Sequence, residues 1–353
     1  MKRIAYIELD THGEIAANIR ELMEDSSEFT VDYFFSEKIM RQLNIREEKN
    51  IHLSNQTTIL NQLKNNQFDL VIIGTVHRYF AVFHSIAENF NTAVIVHNIN
   101  FTKLSKGKLI QKIFAEQTLF RLKLLLKEGL LKMPAVHQKT SHFFVLGQSL
   151  SVKKKFHYLP VFYNKFSENR ISDSLTIVIP GTVSQSRRDY KKIFELLEED
   201  EQLTAEHPEK TFVFLGKAKD KELQILKELK RTIKRNTLIF FDKKVPQNEF
   251  EFWMRKADVL WCPVQRETSF FSNAEQYGTT KISGNLGDAI SFGKFVVFRE
   301  GLFSDAPFVV TETDNIMEKF KDISRLQYDF QQEFSKEKVS ELLHHILRKC
   351  ICI

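Results

Sequence analysis

Two doubly wound α/β domains are the fold that this 353-residue sequence predicts. Three observations carry the prediction. Strand-like runs alternate with helical stretches in two successive series, a polar segment separates the series, and glycine-bearing loops recur at the carboxyl ends of predicted strands. The length suits two domains of ordinary size, each with its own core.

The first series has strands expected at Ile4–Leu9, Thr30–Phe35, Asp69–Gly74, Ala93–His97 and His142–Leu146, each a short apolar run followed by a helical stretch. Residues 1–165 form this first domain. Asn164–Ser174, rich in Asn, Ser, Glu and Asp, reads as a linker. The second domain, 175–330, has strands expected at Leu175–Ile179, Thr211–Leu215, Thr237–Phe241, Asp258–Cys262 and Phe295–Phe298. Its helices are expected near Tyr190–Glu198, Lys219–Lys234, Glu249–Lys256 and Lys281–Ser291. A last helix, about Gln331–Lys349 within 331–353, is expected to return toward the first domain. Two such sheets facing each other would place ligand chemistry in a cleft at their carboxyl ends.

With 42% hydrophobic and 27% charged residues the chain is globular, and no apolar run approaches the roughly 18 residues of a spanning helix. The start, MKRIAYIELD, enters a strand pattern at once, so a cytoplasmic protein is expected, with the inner face of the membrane as a further location. Cys262, Cys350 and Cys352 lack the spacing of a zinc site, and Cys262 reads as a buried small hydrophobe. The net charge of +6 suits anionic partners such as sugar nucleotides or lipid headgroups, and nothing points to nucleic acid.

Glu275–Phe298, EQYGTTKISGNLGDAISFGKFVVF, reads as a turn, a helix and a buried strand in succession. Gly278, Gly284 and Gly287 permit close backbone approach, Thr279, Thr280 and Ser283 offer donors, and Lys281 adds a charge where a helix can begin, as a diphosphate requires. The same residues would also serve a plain helix start. After the first strand of the second domain, Gly181 is followed by Arg187 and Arg188, whose guanidinium groups suit phosphate oxygens, or else a solvated basic turn balanced by Asp189. Gly216 ends another strand, where the chain can turn close to a base or ribose. The first strand ends in Asp10-Thr11-His12-Gly13, with neither G-x-G-x-x-G nor a Walker A pattern, which argues against a dinucleotide dehydrogenase.

Taken together, Gly181–Tyr190, Phe214-Leu215-Gly216, Ala257–Pro263, Glu275–Gly278 and Leu286–Lys294 resemble the donor-binding half of GT-B glycosyltransferases, the Rossmann-like group that includes bacterial polysaccharide transferases. The resemblance is clearest over residues 175–300. It implies transfer of a sugar from a nucleoside diphosphate donor to a hydroxyl acceptor, in surface polysaccharide or glycolipid assembly, with no cofactor beyond the donor. In the retaining branch two cations follow the strand-end glycine. Thr182 takes the first place and Arg187 the second, with Lys281 or Arg188 as substitutes. Glu275 matches a glutamate that faces the donor sugar. Eight residues on stands Ser283, so either Asp288 takes the second carboxylate's role or Ser283 binds phosphate, and retention or inversion stays open.

His97, ending a first-domain strand, matches an acceptor-side histidine of these transferases, and an imidazole there can orient or deprotonate a hydroxyl. It can equally be a hydrogen-bonded structural residue. His12, two residues from Asp10, is the other expected base, unless it only begins a helix. No two aspartates stand two apart, so a metal-independent donor site is expected rather than the Asp-x-Asp site of GT-A enzymes. Lys103–Met133 holds seven lysines and one arginine against two glutamates, interleaved with Ile110, Phe114, Phe120 and Leu124-Leu125-Leu126. This helix suits an anionic bilayer and a lipid-linked glycan acceptor, or it is a core helix edged by lysine stems. Two other functions fit the same architecture, a nucleotide-sugar 2-epimerase and a non-catalytic glycan-binding scaffold.

Overall fold

The computed structural model describes residues 1–152, 155–166, 175–202, 209–303 and 305–351. Most of the expected linker (167–174) and Cys352 lie outside them. The described chain forms two α/β units. Unit 1 comprises Met1–Phe162, Ser269–Ile282 and Lys336–Ile353, and unit 2 comprises Tyr163–Thr268 and Ser283–Ser335.

Unit 1 is built on a parallel sheet of seven strands, β1 (Lys2–Glu8), β2 (Phe29–Phe35), β3 (Ile51–Leu53), β4 (Leu70–Ile73), β5 (Thr92–Ile95), β6 (His142–Val145) and β7 (Phe156–Tyr158), in the order β3-β2-β1-β4-β5-β6-β7. The order reverses between β1 and β4, which opens a crevice at their carboxyl ends where open α/β sheets bind ligands. Ile7, Phe34, Ile73, Val94 and Val145 are buried under helices carrying Phe83, Leu109, Leu124 and Val136.

Unit 2 has a six-stranded parallel sheet of β8 (Leu175–Pro180), β9 (Lys210–Lys217), β10 (Thr237–Phe241), β11 (Val259–Cys262), β14 (Val296–Phe298) and β15 (Val309–Thr311), ordered β10-β9-β8-β11-β14-β15. Its order reverses between β8 and β11. Ile177, Phe212, Trp261 and Phe320 form the centre of its core, and the buried Trp261 indole donates to Glu312 at 3.1 Å. All ten expected strands are present, with ends shifted by at most a few residues. Cys262 is fully buried, as expected of a small hydrophobe.

A hairpin of β12 (Glu267–Phe270) and β13 (Asn273–Gln276) interrupts the expected second domain. Phe271 and Ser272 turn it with φ of 53° and 51°, the left-handed pair that matches the twist of a two-residue hairpin. Its residues from Ser269 on belong to unit 1, where Phe270, Phe271 and Ile282 pack against the core. The expected last helix divides into Phe330–Phe334 and Lys336–Ile351. The second piece is part of unit 1, with Ser340 Oγ donating to Leu22 O at 2.9 Å and the Cys350 carbonyl accepting from Asn91 at 3.0 Å.

Candidate functional site

Each unit carries a cluster of polar side chains at the switch point of its own sheet. In unit 2 the cluster begins where β8 ends. Gly181 has φ of +105°, and a Cβ there would lie 2.5 Å from Arg188 Nη2, so backbone and neighbour both require glycine. Ser184 O accepts from the amides of both Arg187 and Arg188, a turn that sends the two side chains apart. Arg188 is 8% exposed, whereas Arg187 is exposed. Arg188 is therefore the inward cation, and Arg187, expected to lead, stands at the surface.

Arg188 Nη2 donates to Asn285 Oδ1 at 2.7 Å, while Arg188 Nε is buried without a partner. Asn285 Nδ2 donates to Asp288 Oδ2 at 3.0 Å and to Pro180 O at 3.4 Å, which ties the strand end to the helix Gly284–Phe292. Ser283 caps that helix, its Oγ accepting from Asn285 N at 3.3 Å. A Cβ on Gly284 would meet nothing within 4 Å, so the helix start faces open space. A guanidinium with an unsatisfied N–H beside a helix start that faces open space is suited to an anion. Gly216 also has a packing task. A Cβ there would lie 2.1 Å from Gly181 O, so Gly216 lets β9 pass flush against the Gly181 turn.

Two residues expected beside that cradle belong to unit 1 instead. Glu275, expected to face a donor sugar, is 0% exposed, and its carboxylate accepts from Asn100 N at 3.2 Å and Phe101 N at 2.9 Å. Enclosed and saturated, it anchors the hairpin to the start of the short helix Phe101–Lys103. Lys281 Nζ donates to Asn98 Oδ1 at 2.7 Å, beyond the end of β5, rather than standing at the helix start that it was expected to charge.

The second cluster surrounds Lys281 and Asn98. Asn98 Nδ2 lies 3.1 Å from His77 Nε2, and His77, His12 and His97 converge from the loops after β4, β1 and β5. His12 and His97 stack with centroids 3.8 Å apart and planes 10° from parallel. His97 is 8% exposed, and its Nε2 meets Gly74 O at 2.9 Å. A carbonyl only accepts, so His97 Nε2 carries the proton. Burial, then the neighbouring His12 charge, holds both His77 and His97 well below the ordinary imidazole pKa, so both are neutral at pH 7.

His12 precedes the helix Gly13–Met23 in a left-handed conformation, φ 62° and ψ 40°, a strained setting for a residue with a Cβ. Its side chain is 31% exposed, and its Nδ1 lies 3.0 Å from Glu14 Oε1. Partial desolvation raises Glu14, but its bond to His12 and the His12 charge outweigh that and hold it below the ordinary carboxyl range. An ionised Glu14 can only accept, which places a proton on Nδ1 and leaves Nε2 as the ring nitrogen turned from Glu14. The acid that orients His12 is thus Glu14. The expected Asp10 turns instead to Lys38 and Arg78, at 3.4 and 3.6 Å.

His77, Asn98, Glu8 and Asn285 escaped the sequence reading. His77 carried a usable signal, since it follows an expected strand end as His97 does. Glu8 is 1% exposed and accepts from Thr75 Oγ1 at 2.7 Å and from the amides of Asp10 and Thr11 at 3.1 and 3.2 Å. Burial nonetheless pushes its pKa from 4.5 up to about 7. Folding therefore favours the protonated form. That stabilisation is complete below pH 4.5 and is lost as pH rises through about 7. Urea unfolding between pH 4 and 8 should show roughly 3 kcal/mol of extra pH-dependent loss in the wild type relative to Glu8→Gln. Parallel profiles for the two proteins would remove Glu8 from this role.

No family model and no curated protein matches the chain. Solved structures do, at low identity. The UDP-GlcNAc 2-epimerase from Methanocaldococcus jannaschii is 13% identical with a TM-score of 0.54, the alignment covering 98% of this chain and 99% of that one. The N-terminal domain of Candida albicans trehalose-6-phosphate phosphatase is 11% identical with a TM-score of 0.60, covering 99% and 97%. The pneumococcal O-GlcNAc transferase GtfA, solved with UDP and GlcNAc, is 10% identical with a TM-score of 0.57, covering 99% of both chains. The likeness to nucleotide-sugar enzymes of this architecture shows a GT-B fold, with two Rossmann-like domains.

Proposed function

We propose that this protein is a glycosyltransferase that moves a sugar from a nucleoside diphosphate donor to a hydroxyl acceptor, in surface polysaccharide or glycolipid assembly. The observation that carries the reading is His12, a partly exposed imidazole oriented through Nδ1 by Glu14 and backed by the neutral ring of His97. Such a group is a general base for a hydroxyl. In unit 2, the cradle of Arg188, Asn285 and the helix start at Ser283–Gly284 is by itself suited to the donor's diphosphate without a metal.

In the reaction the acceptor oxygen gives its proton to His12 Nε2 and bonds to the anomeric carbon. The bond from that carbon to the diphosphate breaks, and the nucleoside diphosphate leaves with the electron pair. Arg188 and the helix-start amides stabilise the developing charge. With Glu275 enclosed and a base at His12, the expected stereochemical outcome is inversion, which the anomeric coupling in the product's NMR spectrum reads directly.

His12→Asn tests the base without disturbing the backbone, because Asn tolerates the left-handed region. Its kcat should fall by about 10²–10⁴ while nucleoside diphosphate affinity holds. Unchanged turnover would overturn the assignment. A second reading, a nucleotide-sugar 2-epimerase, draws support from the similarity to the M. jannaschii epimerase. Incubation with sugar nucleotides and no acceptor separates the two, since only an epimerase converts the donor into an altered sugar nucleotide.

A further inference from the structure

Among the described residues ten large apolar side chains are exposed, and five of them, Ile110, Phe114, Leu119, Phe120 and Leu126, lie between residues 110 and 126. The other five are scattered singly along the chain. Leu119 is 86% exposed, Leu126 79% and Phe114 68%. They belong to two successive helices of unit 1, Lys106–Ile113 and Thr118–Glu128, and the bend between them.

The helices are not loosely placed. Leu109, Ile113 and Leu124 enter the core, with Leu122 and Leu125 packed against it. Buried Arg121 donates to the Lys112 carbonyl and to Ser272 Oγ at 2.9 Å and lies over the Phe271 ring. Buried Glu128 accepts from Arg78 Nε at 3.0 Å. These anchors fix which face looks outward. On the second helix that face carries Leu119 and Leu126, seven residues or two turns apart, beside Lys123 and Lys127. Leu119 and Leu126 stand where a solvated helix would carry polar residues, and a patch of this kind on a soluble protein marks an interaction site.

Charge decides among occupants. Lys103, Lys106, Lys108, Lys123, Lys127 and Lys132 are exposed in this segment, and Glu116 is its one exposed acid. A second copy docked on the patch would set lysines against lysines. An anionic bilayer accepts both features, the apolar side chains entering the acyl boundary and the lysines meeting phosphate headgroups. We infer that the helical hairpin 106–128 is a peripheral docking surface for anionic lipid membranes.

Flotation of the full chain with vesicles tests this. At low salt the protein should float with phosphatidylglycerol–phosphatidylcholine vesicles, bind pure phosphatidylcholine at least tenfold less, and release as salt is raised. Leu119→Glu/Leu126→Glu should lose flotation with an unchanged melting temperature, because both side chains are exposed, and Lys123→Glu/Lys127→Glu should lose it by a separate chemistry. Absence of flotation with anionic vesicles would overturn the inference. So would equal binding of wild type and both double variants, or a concentration-dependent dimer that Leu119→Glu/Leu126→Glu abolishes.

Discussion

Arg188→Ala should weaken nucleoside diphosphate binding by about 10- to 100-fold, since a hydrogen bond to a charged group contributes ~1.5–3 kcal/mol. Affinity for the bare nucleoside should barely change. Arg187→Ala, an exposed neighbour one residue away, should leave both ligands within about twofold, in line with the small effect of exposed charges. Calorimetric titration of the three proteins with diphosphate and nucleoside supplies the comparison. Removal of Arg188 also leaves buried Asn285 Oδ1 with only the longer bond from Ser283 Oγ, 3.4 Å, so Arg188→Lys is the necessary companion. It keeps a charge but not the planar fork, and should recover part of the affinity. Equal losses for diphosphate and nucleoside would mean that Arg188 only supports the loop.

Glu275→Ala should cost stability rather than chemistry. The substitution strips acceptors from the amides of Asn100 and Phe101, and each buried group left unsatisfied costs ~1–3 kcal/mol. A loss of about 2–6 kcal/mol is a large part of the ~5–15 kcal/mol that holds an ordinary domain folded. Glu275→Gln keeps one oxygen and should fall between. The urea midpoint of each variant measures this. If Glu275→Ala unfolds at the wild-type midpoint yet loses turnover, the carboxylate faces substrate after all.

The contrast between Arg187 and Arg188 shows where sequence stops being informative. Both are arginines in one glycine-led loop, and composition and spacing favour neither. Only in the fold does Arg188 pair with Val264 and reach Asn285, while Arg187 stays on the surface. The inner strands were legible because each is a short apolar run bounded by polar residues. The edge strands β3, β7 and β15, three residues each, are too short to show a period. Glu275 and Lys281 looked like part of a phosphate turn because Gly, Ser and Thr around them look alike whichever unit they join. The hairpin turn at Phe271-Ser272 lacks the Asn-Gly signature that announces such turns. His12 and His97 were visible singly, and His77 was not singled out. Their convergence was not visible, because they arrive from three separate strands.

The division of unit 1 into Met1–Phe162, Ser269–Ile282 and Lys336–Ile353 sets an order of assembly during synthesis. When the first 162 residues emerge from a ribosome, the β-sheet can form, but the partners of the Asn100 and Phe101 amides are more than a hundred residues from being made. The surface that the helix Lys336–Ile351 covers, beside Leu22 and Asn91, stays bare until that helix is made. Unit 1 thus begins first and finishes last. A chain cut after residue 162 would be an unfinished fold rather than a free-standing domain, and a stop codon before residue 336 would leave apolar surface exposed for chaperones and proteases to find.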